Sequence, residues 1–161
     1  MDKNATIARE LVRLARMIVA GENRPVLTLV IGLPGSGKST FAKSIPNASH
    51  YEADMFFEDE NGNYNFDRTR LKDAHKWCQM LVDNDLSQGR NVVVSNTGLS
   101  RWERETYYKM AQKHDAIIKV KTMTGSYGNI HGVPEEALKM MENRFQLVSQ
   151  SEIQEYDIEI I

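Results

Sequence analysis

The chain has 161 residues, of which 41% are hydrophobic and 26% are charged, values typical of one globular domain with a single core. Its net charge of −2 argues against a large basic face for duplex nucleic acid, and its single cysteine excludes an internal disulfide and a cysteine-rich zinc site. No apolar run approaches the ~20 residues of a transmembrane helix, and we expect no signal peptide. These features predict no membrane partner and a cytoplasmic setting.

The N-terminal segment, residues 5–20, has the periodicity of an amphipathic helix that stops at Gly21. The apolar residues at helical spacing are Ile7, Leu11, Leu14 and Ile18. We predict that this helix packs through its apolar stripe and exposes a basic edge to solvent, with a partner-binding face as the alternative.

An apolar run at 26–31 predicts a buried parallel strand, and a helix is predicted over about 38–44. The eight residues from Gly32 to Ser39, Gly-Leu-Pro-Gly-Ser-Gly-Lys-Ser, match the phosphate-binding P-loop motif. In this motif the loop N–H groups converge on phosphate oxygens, the lysine reaches the β- and γ-phosphates, and the hydroxyl ligates Mg²⁺. The predicted ATP·Mg²⁺ contacts are Gly32, Pro34, Gly35, Ser36, Gly37, Lys38, Ser39 and Thr40. No guanine-reading Asn-Lys-x-Asp motif is present, which favours ATP.

A short second strand is predicted over 49–53, and it ends at Asp54. Ligands of open α/β sheets collect at the carboxyl ends of the strands. Asp54 is therefore a candidate to accept the proton of an acceptor hydroxyl or to orient Mg²⁺, with a helix cap or a surface aspartate as the alternative.

The segment 55–66 contains the turn signal Asn61-Gly62 between aromatic residues. The aromatic residues are Phe56, Phe57, Tyr64 and Phe66. We predict that they pack this loop onto the sheet, and stacking on a nucleic-acid base is the alternative.

A long helix is predicted from Asp67 to Gly89, followed by a third buried strand over 91–95. Many P-loop enzymes place a carboxylate for Mg²⁺ at this strand end. Here Ser95 and Asn96 stand at that position and bring no charge.

A capping box, Ser100 with Glu103, starts the next helix, for which Trp102, Thr106 and Met110 are the predicted inner face. Arg101 and Arg104 lie in its first turn, where the helix dipole does not favour cations; a bound anion and simple solvent exposure are the two explanations. A fourth strand over 116–121, a flexible glycine-rich loop over 122–132 and a last helix that begins at Pro134 follow.

These elements predict an α/β three-layer P-loop fold with a mostly parallel sheet of four to five strands. The chain, 1–161, is then a single kinase-like domain. Its parts are an N-terminal helix (1–21), a core (22–150) and a C-terminal tail or edge strand (151–161).

Three segments together resemble the polynucleotide-kinase-like P-loop proteins, phage 5′-hydroxyl kinases included. They are the P-loop, Glu52-Ala53-Asp54-Met55-Phe56-Phe57 and His131-Gly132-Val133-Pro134. The resemblance implies that Lys38 and Ser39 bind phosphate and Mg²⁺ and that Asp54 is the general base. It further implies that Asn96 lies where phage kinases have a metal-linked aspartate, and that Val133 and Pro134 lie near the adenine.

Two positions depart from that family. Phe57 stands where those kinases have an arginine that grips the acceptor phosphate, and Gly128 stands where their lid has an arginine. An arginine that neutralises the transferred phosphoryl group is worth ~10³–10⁵ in rate. We predict that Arg144 supplies this charge, with Arg101, Arg104 or an arginine of a second subunit as alternatives.

The resulting hypothesis is a kinase that transfers the γ-phosphate of ATP to the 5′-hydroxyl of a single-stranded nucleic acid or a nucleotide. A small-molecule kinase acting on a sugar or nucleoside is the first alternative. An ATP-binding regulatory protein with little turnover is the second, and no feature of the sequence indicates an oligomeric state.

Overall fold

A five-stranded parallel sheet organises the fold in the computed structural model, which describes residues 3–20, 24–128 and 132–161. The strand order is β2-β3-β1-β4-β5, and all four pairings are parallel. The strands are β1 (Val26–Ile31), β2 (Ser49–Tyr51), β3 (Val92–Val94), β4 (Ile117–Thr122) and β5 (Ile158–Ile160). The prediction of an α/β P-loop fold with four to five strands is confirmed.

Six α-helices accompany the sheet within the described residues. They are α1 (Lys3–Ala20), α2 (Lys38–Ser44), α3 (Leu71–Ser87), α4 (Arg101–Lys113), α5 (Glu135–Arg144) and α6 (Gln150–Tyr156). Two short 3₁₀ turns, Ala53–Phe57 and Arg68–Arg70, precede α3. The helix α6 was absent from the sequence-based prediction, which treated this part of the chain as a tail.

The alternation of side chains along the strands sets up three layers. In β1, Leu27, Leu29 and Ile31 face a core that also contains buried residues of α3, α4 and α6. Val30 points to the opposite face, where it packs with Ala42 of α2. Because the central strands are covered on both faces, their sequences read as continuous apolar runs.

The apolar stripe of α1 does not pack as predicted. Its large apolar residues are exposed, with Ile7 57%, Leu11 61% and Ile18 81% accessible. A polar contact joins α1 to the segment before β5, where Arg13 Nε lies 2.8 Å from Asp157 Oδ2. Gly21, its predicted stop, lies outside the described residues. Among the helices of the described ranges, none has the length and hydrophobicity needed to cross a membrane.

The inner face of α4 also differs from the prediction. Trp102 is 68% exposed, whereas Arg104, Tyr107, Tyr108 and Ala111 are the buried residues of this helix. The face of α4 that contains Arg104 is buried because α6 carries a buried carboxylate, Glu152, which lies 2.8 Å from the Arg104 guanidinium. The capping box itself is present, with Glu103 accepting hydrogen bonds from the backbone and side chain of Ser100.

Candidate functional site

The P-loop connects the end of β1 to α2 through backbone conformations that favour glycine. Gly35 and Gly37 have φ of 77° and 93°. The N–H of Gly32 donates to the carbonyl oxygen of Thr97 at 3.0 Å, which fixes the loop to the segment after β3. Lys38 Nζ donates to the carbonyl oxygen of Leu33 at 2.9 Å, so the lysine lies folded over its own loop.

Two carboxylates lie near the P-loop lysine. Burial lowers the pKa of Lys38, and the negative charges of Glu52 and Asp54 oppose that shift. A lysine in this environment gains from the approach of further negative charge, as phosphate groups would bring.

One polar atom of the loop has no partner of its own. Ser36 is 2% exposed, and its Oγ is buried without a hydrogen-bond partner among the described residues. A buried hydroxyl without a partner costs free energy, so it fits a position that a ligand oxygen completes. Pro34 is half-buried in the loop and Thr40 is exposed in the first turn of α2.

Glu52, the first residue after β2, is a functional candidate that was not among the predicted site residues. Its carboxylate accepts a short hydrogen bond from Ser39 Oγ and one of 2.7 Å from Ser95 Oγ. His50 Nε2 lies 3.2 Å from Glu52 Oε1 and 2.5 Å from Ser95 Oγ. Burial alone would raise the pKa of Glu52, but the hydrogen bonds from His50, Ser39 and Ser95 outweigh it and lower the pKa to about 2.

The reason for the omission is the length of β2. The predicted strand over 49–53 placed Glu52 inside the strand, whereas β2 ends at Tyr51 and leaves Glu52 at the carboxyl edge. The signal that could have identified it is the spacing of His50 and Glu52, which puts both side chains on one face of a strand.

Asp54 lies in the 3₁₀ turn Ala53–Phe57 instead of at a strand end. Burial raises the pKa of Tyr64 to about 12, and the charge of Asp54 and a side-chain hydrogen bond with it act in the same direction. Tyr64 is therefore a close neighbour of the Asp54 carboxylate. The role of Asp54 as a general base stays a prediction.

Asn96 ties the 3₁₀ turn to the core. Its Oδ1 accepts from the N–H of Ala53 at 2.8 Å, and its Nδ2 donates to Tyr107 Oη at 3.2 Å. Each end of the amide thus has a protein partner, which gives Asn96 a structural role in the placement of Asp54. Its predicted role as a metal ligand is untested.

The candidate arginines differ sharply in their surroundings. Arg104 is 1% exposed and forms a bidentate pair with Glu152, so it is committed to the core. Arg101 forms ion pairs with Glu105 and Glu155. These carboxylates, instead of an anionic ligand, account for both arginines in the first turn of α4.

Arg144 is the remaining candidate within this chain; an arginine of a second subunit stays an untested alternative. It ends α5, its side chain is 54% exposed, and its Nη2 lies 3.9 Å from Glu103 Oε1. An exposed pair at that distance contributes little to stability, so the guanidinium is available to a ligand.

The described part of the glycine-rich loop, residues 123–128, packs directly on the P-loop. The N–H of Met123 donates to the carbonyl oxygen of Ile31 at 2.8 Å, and the N–H of Tyr127 donates to that of Gly35 at 2.7 Å. A Cβ built on Gly37 would lie 3.2 Å from the Tyr127 ring. The flexible loop predicted from its glycines is therefore anchored over residues 123–128.

The replacement Gly35→Ala should disrupt this contact. Gly35 has φ 77°, and an added Cβ would lie 2.0 Å from the carbonyl oxygen of Gly128. We expect ATP affinity to fall at least ~10-fold, equivalent to about 1.4 kcal/mol, measured by isothermal titration calorimetry.

The matched control is Gly62→Ala. Gly62 has nearly the same φ, 78°, but has no atom within 4 Å of an added Cβ. It should cost about 1–2 kcal/mol of backbone strain and leave ATP affinity unchanged. Equal affinities of the two variants would contradict the steric argument.

Val133 and Pro134 lead into α5 at the other end of the glycine-rich loop. Val133 is partly buried and Pro134 is exposed. Their predicted position near the adenine is untested, and His131 of the same segment lies outside the described residues.

A groove of about 570 Å³ lies beside the turn that carries Asp54. It is lined by Phe56, Phe57, Glu58, Asp59, Asn65, Phe66, Asp67 and Arg70. Phe57 is 6% exposed, whereas Phe66 is 51% exposed, and the Arg70 guanidinium stacks 4.6 Å from the Phe56 ring centroid. Phe56, Phe57 and Tyr64 pack the segment onto the core, as predicted. Phe66 packs against Phe57 and Tyr64 and lines the groove.

Comparison with known proteins places the matching region over the site. The family model described as "AAA domain" matches residues 27–124, from β1 to beyond β4. NEDD4-binding protein 2 of Homo sapiens is 33% identical over 135 residues, which cover 75% of this chain and 8% of that protein.

A viral relative and a solved structure extend the comparison. A putative bifunctional polynucleotide kinase/RNA ligase of Autographa californica nuclear polyhedrosis virus is 32% identical over 116 residues, 64% of this chain and 17% of that protein. The match therefore spans less than a fifth of either relative. Chaetomium thermophilum Kti12, solved with ADP-AlF3, has a TM-score of 0.62 at 14% identity and covers 84% of this chain and 88% of its own. At that identity the likeness concerns the fold.

Proposed function

The chain belongs to the AAA domain family as a P-loop kinase-like protein, and from this premise we propose that it transfers the γ-phosphate of ATP to a hydroxyl acceptor. The membership confirms the resemblance drawn from the P-loop and its two companion segments. The observation that carries the proposal is the placement of two carboxylates directly after β2, with Glu52 in contact with Ser39 of the P-loop and Asp54 in the turn that follows. An acidic group beside the phosphate site can act as the general base of phosphoryl transfer to a hydroxyl.

The proposed roles follow the geometry of the P-loop. Lys38 and the loop N–H groups from Gly35 to Ser39 hold the β- and γ-phosphates. Asp54, next to Tyr64, receives the proton of the acceptor hydroxyl as its oxygen bonds to the γ-phosphorus. The bond from the γ-phosphorus to the β–γ bridging oxygen breaks, and ADP leaves.

The residues around Ser39 fit a magnesium ion, although no group of three or more His, Cys, Asp or Glu residues in the described ranges forms a metal site by itself. Mg²⁺ is usually held by one or two protein oxygens together with nucleotide phosphates and water. When bound, it would neutralise charge on the β- and γ-phosphates. Arg144 is proposed to complete the cationic side of the site.

The favoured acceptor is the 5′-hydroxyl of a single-stranded nucleic acid or a nucleotide. Support comes from the viral relative, whose name includes a polynucleotide kinase, and from the exposed Phe66 ring beside the Asp54 turn. Base stacking on such a ring contributes ~1–3 kcal/mol and is tolerant of sequence.

A small-molecule acceptor is the second candidate, and the groove favours it. Its volume of about 570 Å³ suits a nucleoside or sugar. Phe57, which stands at the position of the phosphate-gripping arginine, is buried in the aromatic cluster and offers no charge.

A cytoplasmic setting stays a prediction from the sequence.

The test is transfer of labelled γ-phosphate from ATP to a 5′-hydroxyl oligonucleotide. Lys38→Ala should reduce labelling ~10²–10³-fold, the typical loss on removal of one group that stabilises a developing charge. Lys43→Ala is the matched control because Lys43 is an exposed lysine on the same helix, and it should label normally.

The acceptor class is decided by competition. An unlabelled oligonucleotide should compete with a polynucleotide acceptor and leave phosphorylation of a sugar or nucleoside unaffected. Saturable ATP binding with no phosphorylation of any acceptor would contradict the kinase proposal and favour a regulatory protein.

A further inference from the structure

The end of β3 carries no carboxylate, whereas the end of the neighbouring strand β2 carries Glu52. Ser95 and Asn96 occupy the position where P-loop enzymes place a metal-linked carboxylate. We propose that Glu52, at the end of β2, is the carboxylate that holds the nucleotide-bound Mg²⁺ together with Ser39. This inference rests on the proposed ATP site and names one more residue of it.

The register of the sheet places Glu52 beside the end of β3. β2 and β3 are parallel neighbours with Tyr51 paired to Val94, and the N–H of Ser95 donates to the carbonyl oxygen of Tyr51 at 3.1 Å. Glu52 and Ser95 are therefore the next residues beyond this pair, one strand spacing of ~4.8 Å apart. A glutamate has one methylene more than an aspartate and can reach across part of that spacing.

The side-chain contacts of Glu52 agree with a role in place of a carboxylate at the end of β3. Glu52 Oε1 lies 2.7 Å from Ser95 Oγ. The carboxylate therefore lies in front of the short serine side chain at the end of β3. The same oxygen contacts the hydroxyl of Ser39, the P-loop residue predicted to ligate Mg²⁺. A carboxylate and a hydroxyl oxygen side by side are the hard oxygen donors that Mg²⁺ prefers.

The two acidic residues near Lys38 thereby receive separate roles. Glu52 is fixed against Ser39, Ser95 and His50, on the metal side of the P-loop. Asp54 is two residues further along the chain, in the turn whose far end lines the acceptor groove, with Tyr64 as its neighbour. Glu52 positions the metal and Asp54 serves the acceptor.

The test measures the Mg²⁺ dependence of ATP binding by calorimetry, with and without EDTA, and requires no turnover. In the wild type Mg²⁺ should tighten ATP binding. Glu52→Gln keeps hydrogen-bond capacity toward Ser39 but removes the charge. It should lower the affinity for metal at least ~10–100-fold, the loss seen even for groups that only contact a metal's ligands. Its ATP affinity in EDTA should not fall.

A charge-relocation variant supplies the decisive control. Glu52→Gln combined with Ser95→Asp returns a carboxylate to the end of β3 and should recover most of the Mg²⁺ dependence. Thermal melts establish that each variant is folded. Retention of the full Mg²⁺ effect by Glu52→Gln would overturn the role of Glu52 and leave the proposed kinase function intact. Absence of ATP binding by the wild type would overturn both.

Discussion

Replacement of Asp54 by asparagine is expected to lower kcat by ~10²–10⁴, the range that a positioned general base contributes. Asparagine has the same shape but cannot accept the acceptor proton. The residue lies in the turn Ala53–Phe57, which is held by the bond from the Ala53 N–H to Asn96, and Tyr64 is its close neighbour. The carboxylate is thus presented by a supported turn, and loss of its basicity should not disturb the fold.

The measurement is single-turnover phosphorylation of the acceptor with ATP in excess. ATP affinity should be retained or slightly improved, because one negative charge near Lys38 and the phosphates has been removed. Glu60→Gln removes an exposed carboxylate from the loop that follows and is the matched control, with expected wild-type turnover. A loss of less than ~10-fold in Asp54→Asn would show that another group accepts the proton.

The largest expected effect on stability comes from Arg104→Met. Arg104 and Glu152 are each 1% exposed, with N–O distances of 2.8 and 3.0 Å, and Arg104 Nη1 also donates to the carbonyl oxygens of Gly98 and Gln146. Removal of one partner of a buried ion pair leaves an uncompensated charge and costs ~3–5 kcal/mol. A cost of that size lowers Tm by about 10 °C in a chain of this length.

Chemical denaturation compares three variants. Arg144→Met, which removes the exposed pair with Glu103, should change the free energy of unfolding by less than about 1 kcal/mol. The double replacement Arg104→Met with Glu152→Met should recover only part of the loss. No buried charge remains, but Tyr108 Oη and the carbonyl oxygens of Gly98 and Gln146 lose their partners. An effect of Arg104→Met no larger than that of Arg144→Met would mean that the pair is open to water.

The buried pair also has a functional consequence. Arg104 holds the Gly98 carbonyl, and the preceding residue, Thr97, accepts the hydrogen bond from the N–H of Gly32 at the start of the P-loop. A loss of Arg104 should therefore loosen the phosphate site as well as the core.

Predictions from sequence were reliable where the determinants are local. The P-loop, β1 and α2 were located correctly because the motif dictates strand, loop and helix in that order, and its glycines specify positive φ at Gly35 and Gly37. The turn at Asn61-Gly62 and the capping box at Ser100 likewise depend on residues a few positions apart.

Predictions failed where burial depends on distant elements. The helix α4 buries Arg104 instead of Trp102 because Glu152, 48 residues later, lies on α6. The apolar stripe of α1 is exposed although its periodicity is that of a packed amphipathic helix. Periodicity reports which residues share a face, and only the neighbouring elements decide whether that face is covered.

For the site, the sequence by itself determined the phosphate-binding loop, since the physics of a P-loop lies within eight consecutive residues. It also indicated a phosphoryl-transfer family and drew attention to Asp54. The tertiary structure decided which groups surround that loop. The end of β2 and its register with β3 bring Glu52 to Ser39 and Ser95, and two distant carboxylates bind Arg101 and Arg104. The contacts of Glu52 with Ser95, of Arg101 with Glu155 and of Arg104 with Glu152 join distant chain segments, so local sequence patterns do not specify them.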